Sequence, residues 1–83
     1  MKAAMDITQL EVGRTARVVE IQGGQALQQK LRAIGIVPGR TIGKTNRAIL
    51  KGPVVLTVGA VQIAIGFGMA RKIVIEPLDA AIL

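Results

Sequence analysis

Residues 27–40 read L-Q-Q-K-L-R-A-I-G-I-V-P-G-R, and the direction of the chain on either side follows from how this stretch turns. Leu27, Leu31 and Ile34 recur at i, i+4 and i+7, with Gln28, Gln29, Lys30 and Arg32 on most of the other face. That is the period of a short amphipathic helix. Gly35 stops it. A glycine just past the last periodic residue takes the left-handed conformation at little cost, and Ile36 then packs back on Leu31 in a Schellman arrangement. Pro38 fixes a negative φ at the second position of a turn, and Gly39 accepts a positive φ at the third, the type II pattern. The stretch therefore predicts a helix, a stop and a tight turn that feeds a strand at Thr41.

Outward from this corner the chain reads as strands. Residues 6–10 form a lead-in, with Leu10 and Val12 expected in the core and Gly13-Arg14 turning the chain. T-A-R-V-V-E-I at 15–21 is the first strand, broken by Gln22-Gly23-Gly24, and the helix starts at about Gln25. Residues 41–47 make the second strand and 48–52 a loop.

Residues 52–70 carry no charge and lie between Lys51 and Arg71-Lys72, which is how a membrane-spanning helix would look. Register argues for a hairpin instead. With Gly59-Ala60 as a two-residue loop, Val58 faces Val61, Leu56 faces Ile63 and Val54 faces Ile65, one apolar face. Thr57 then meets Gln62 and Val55 meets Ala64 on the other. Gly59, first in the loop, suits a type II′ turn. Residues 66–70 predict a single helical turn, and 73–76 a last strand that Pro77 ends. The tail 78–83 is apolar and unassigned. Five short strands in a chain of 83 residues predict one domain over 1–83. It is mainly β, a small five-stranded barrel with a short amphipathic helix after the first strand.

This pattern resembles the FeoA family, small cytoplasmic proteins of bacterial ferrous iron uptake with an SH3-like barrel. The matching residues are Leu10 and Gly13, then Lys30-Leu31-Arg32-Ala33-Ile34-Gly35-Ile36-Val37-Pro38-Gly39, then Gly52-Pro53-Val54, Gln62-Ile63-Ala64-Ile65 and Ala70-Arg71-Lys72-Ile73. The resemblance covers residues 6–76. It implies a cytoplasmic regulatory protein acting on FeoB, a membrane permease with a cytosolic GTP-binding domain, and peripheral to the membrane only through that partner. It also brings transition metal ion binding as a term attached to the family. A similar pattern occurs in the C-terminal domain of iron-dependent repressors of the diphtheria-toxin repressor type. With no helix-turn-helix stretch in front, a stand-alone FeoA-like protein is the expectation.

Composition limits the chemistry. There is no cysteine, histidine, tryptophan or tyrosine, and Phe67 is the one aromatic residue. Without His or Cys there is no nucleophile–base pair to propose, and the carboxylates Asp6, Glu11, Glu20, Glu76 and Asp79 are thinly spread. The expectation is no enzyme, no cofactor and no metal site. Gly23-Gly24 before the helix carries no G-x-x-x-x-G-K-[ST], so it reads as loop punctuation. The aromatic-lined groove of a proline-rich-peptide reader cannot be built.

The net charge is +6. A basic balance attracts nucleic acid, anionic lipid or an acidic protein, and charge alone does not choose among them. Stacking platforms for single strands are missing, so no nucleic acid is expected as partner, although a nucleic-acid-binding barrel stays the alternative. The opening M-K-A-A-M-D-I-T holds no signal-peptide core, so export is not expected.

What remains is a binding module. Hydrophobic residues make up 51% of the chain, more than so small a domain can bury. An exposed apolar patch would mark a partner or self-association site. The candidate contacts are Ile36, Val37 and Pro38, with Arg32 and Arg40 steering the approach and Gly35 and Gly39 fixing the corner; ordinary core and turn packing would place the same residues there. The tail 80–83 is the second candidate.

Overall fold

The computed structural model describes residues 5–78. Six strands and two helices follow in the order β1 (Met5–Asp6), β2 (Thr15–Ile21), α1 (Gln25–Ala33), β3 (Thr41–Lys44), β4 (Val54–Val58), β5 (Val61–Ile65), α2 (Phe67–Ala70) and β6 (Ile73–Pro77). All strand pairs are antiparallel, in the order β1-β6-β2-β3-β4-β5. The expected closed barrel of five strands is thus corrected to one open sheet of six, with β1 and β5 as its edges. The amphipathic helix follows the second strand rather than the first.

The extra strand is β1, whose two residues pair Met5 with Ile75 and Asp6 with Val74. Two residues carry no readable period. A capping box then ends the strand: the Asp6 carboxylate accepts from the Thr8 N–H at 2.8 Å, and the Gln9 side chain accepts from the Asp6 N–H at 2.9 Å. A short 3-10 turn, Ile7–Gln9, follows and buries Ile7 completely.

The corner at 34–40 is as the residue pattern predicts. The Ile36 N–H donates to the Leu31 carbonyl at 2.9 Å and the Gly35 N–H to that of Arg32 at 3.0 Å, the two bonds of the Schellman motif. The Arg40 N–H donates to the Val37 carbonyl at 3.0 Å, with Gly39 at φ +94°. Leu31 and Ile36 are both fully buried. Ile34 is not, because it caps the helix with φ −104° and ψ 12°, where helical periodicity no longer aims its side chain.

The hairpin register is the expected one, from Val54 opposite Ile65 to Val58 opposite Val61, with Gly59 at φ +63°. Residues 52–70 are therefore a hairpin and a helical turn, and among the described residues no helix is long and apolar enough to cross a membrane. Val54, Leu56 and Val58 are buried, whereas Val61 on the edge strand is 58% exposed. The core is completed by Leu10, Ala16, Val18, Ile21, Ile42, Ile65, Ala70, Ile73 and Ile75. Val12, expected inside, is exposed instead. In β2 an extra residue separates Val18, opposite Ile75, from Glu20, opposite Val74. Val19 is that bulged residue, and it too is exposed.

Candidate docking surface

The Pro38-Gly39 turn is fastened to β2 by two backbone bonds. The Gly39 N–H donates to the Val18 carbonyl, and the Val18 N–H donates to the Arg40 carbonyl, both at 2.8 Å. Behind it stands the tip of the β4–β5 hairpin. A Cβ on Gly35 would lie 3.3 Å from Cγ1 of Val58, and one on Gly59 would lie 2.8 Å from Nη2 of Arg40. Helix exit, type II turn and hairpin tip thus form one rigid corner. This arrangement fixes the backbone before any partner arrives, so little conformational freedom is left to lose on contact.

The expected contact residues divide here. Pro38, Arg32 and Arg40 are exposed and Val37 is half-buried. Ile36 is fully buried, so it belongs to the core and its place among the contact residues is corrected. Two apolar residues not singled out from the sequence take its place at the surface: Ile34, 39% exposed, and Val19, next to the Val18 anchor. Ile34 was disguised by the helix period; the bulge at Val19 leaves no local signal. The tail candidate, 80–83, lies outside the described residues.

From Arg40 the surface continues into a groove across the outer face of β2, β3 and β4. Gly43 lies between Thr15 and Thr57, its register partners on either side, and Thr41, Thr45, Arg14 and Gly59 complete the lining. The floor of the groove is lined by threonine hydroxyls with the Arg14 guanidinium beside them, a set that can hydrogen-bond a backbone or a carboxylate.

Lys44 is the one charged side chain buried among the described residues. It shares the inner face of β3 with Ile42, and its Nζ donates to the Thr8 carbonyl at 2.8 Å. Burial pushes the ammonium below its ordinary value, and the nearby Asp6 carboxylate opposes that shift. Residue type alone gives no hint of it, because Lys44 reads as one of many surface cations. Among the described residues no three of His, Cys, Asp and Glu come together, and the sequence holds no His or Cys, the ligands that transition metals favour.

The comparisons with known proteins bear on the family and the fold. The FeoA domain model matches residues 5–77. A comparison with curated proteins by sequence found no match. Among solved structures, an iron uptake regulatory protein (FeoA) is 33% identical with a TM-score of 0.84, over 92% of this chain and 100% of that one. The FeoA of Stenotrophomonas maltophilia, solved with zinc and described as an SH3 domain protein, is 23% identical with a TM-score of 0.76. That match covers 88% of this chain and 91% of that one. A manganese-dependent transcriptional repressor is 18% identical with a TM-score of 0.84, over 94% of this chain and 43% of that one; this shows a shared fold alone. The open six-stranded sheet is SH3-like.

Proposed function

The chain belongs to the FeoA family, which serves ferrous iron transport, and from that membership we propose that it is a non-catalytic accessory protein of ferrous iron uptake acting on an FeoB-like permease in the cytoplasm. The observation that carries the reading is the family match over residues 5–77, nearly the whole of the described chain. The corner supports it: Ile34, Val37 and Pro38 supply an apolar surface on a locked backbone, and Arg32 and Arg40 flank it. Rim cations of this kind act mainly on the rate of encounter, while the apolar centre holds the complex.

Ferrous iron uptake in cells lacking the gene tests the reading. Parent protein restores uptake, whereas Val37→Asp, expressed to the same level, restores it poorly. Unchanged uptake on loss of the gene, in medium where ferrous iron limits growth, removes the reading.

A further inference from the structure

Between Glu20 and Glu76 there is no acidic residue, yet eight of the eleven lysines and arginines lie there. In the middle of this stretch, a loop between β3 and β4 pushes two aliphatic side chains into water: Ile49 is 68% and Leu50 93% exposed. Exposed Arg47 and Lys51 flank them.

The loop is held in this form from its base. Asn46 accepts from the Val55 N–H at 2.7 Å and donates to the Pro53 carbonyl at 3.2 Å. The Thr45 N–H and hydroxyl both donate to the Val55 carbonyl. Ala48 packs against the core, and the Gly52 N–H closes the tip on the Ile49 carbonyl at 3.0 Å. At the tip Leu50 (φ 56°) and Lys51 (φ 59°) are both left-handed, a costly conformation for side-chain-bearing residues. Strain of this kind points to a surface kept for contact. Val12, 48% exposed, lines the adjoining groove with Arg47; Glu11 in the same groove is paired with Arg14 at 3.5 Å.

We propose that the Arg47–Lys51 loop is an interfacial membrane anchor, placing Ile49 and Leu50 among the acyl chains of an anionic bilayer while Arg47 and Lys51 meet its headgroups. A bilayer of that charge offers both features the loop presents, an apolar layer beneath a negative surface. A phosphate backbone would reward the cations and leave an exposed leucine with nothing to cover it. This contact is separate from docking on a permease, and lipid vesicles without protein report on it alone.

The test is partition of the full chain onto vesicles of phosphatidylglycerol and phosphatidylcholine, against phosphatidylcholine alone. Binding is expected on the anionic vesicles only, lowered about fivefold by Arg47→Gln or Lys51→Gln. Ile49→Ser with Leu50→Ser, which keeps every charge, is expected to lower it about tenfold. Leu50→Trp, in a chain without tryptophan, should shift its emission to the blue on anionic vesicles and be quenched by brominated acyl chains. No partition at low salt, or equal partition of the serine double variant, overturns the proposal. So does tighter binding to a nucleic acid duplex that ignores Ile49 and Leu50. The substituted side chains are exposed, and an unchanged thermal melt verifies the fold.

Discussion

The guanidinium of Arg40 lies over the backbone of Gly59, so close that a Cβ there would stand 2.8 Å from its Nη2. Gly59 is also at φ +63°. The far end of an arginine moves easily; a positive φ does not. Gly59→Val is therefore predicted to destabilise the domain by about 1–2 kcal/mol through the backbone. Adding Arg40→Ala should recover little of that in a denaturant titration. Full recovery would place the cost in the side-chain contact instead.

Gly35 and Gly39 have nearly the same φ, +91° and +94°, but different surroundings. A Cβ on Gly35 meets Val58 at 3.3 Å, whereas nothing lies within 4 Å of one on Gly39. Asparagine accepts the left-handed conformation at both. Gly35→Asn should thus be less stable than Gly39→Asn by about 1 kcal/mol, the cost of crowding a packed neighbour. Equal midpoints in urea would show that Val58 gives way freely.

Where residue type alone determines backbone geometry, the chain was legible. Gly35 and Gly39 marked their turns, and Gly59 with its symmetric apolar flanks marked the hairpin and its register. The edges were not. β1 is two residues long, and the bulge at Val19 depends on what β6 offers across the sheet. The same limit hid the surface: Ile34 keeps the helical period one residue beyond the helix, whereas the packing of Ile36 on Leu31 follows from the Schellman pattern. Lys44 is buried, with its ammonium bonded to the Thr8 carbonyl and facing the Asp6 charge, 36 and 38 residues away in the chain.

Lys44 makes stability depend on alkaline pH. Its ammonium is disfavoured by burial, so the folded chain gives up this proton at a lower pH than the unfolded one. The penalty of burying the charge is fully present at neutral pH. It is relieved as pH rises through the lowered value, and the gain ends near the ordinary value of 10.5. Over that interval the parent should gain stability relative to Lys44→Met, read as the difference between their melting temperatures. A difference that is flat with pH would contradict the shift.

With no His or Cys in the chain and no cluster of three ligating residues among those described, no tight site for ferrous iron or zinc is predicted at neutral pH. Titration calorimetry should give no stoichiometric binding at about micromolar affinity or better. A stoichiometric isotherm would reveal a carboxylate site that the described fold does not assemble.

The most direct measurement is binding of the purified protein to an FeoB-like permease, the proposed partner, in detergent, parent against Val37→Asp, with a melting curve for each. The account predicts that the parent binds. It predicts that Val37→Asp loses about 1–3 kcal/mol of affinity while melting near the parent, as expected on removing an apolar anchor, and that added salt slows association more than it speeds dissociation. A folded Val37→Asp that binds as the parent does, or one that unfolds outright, would contradict the placing of the docking surface at this corner.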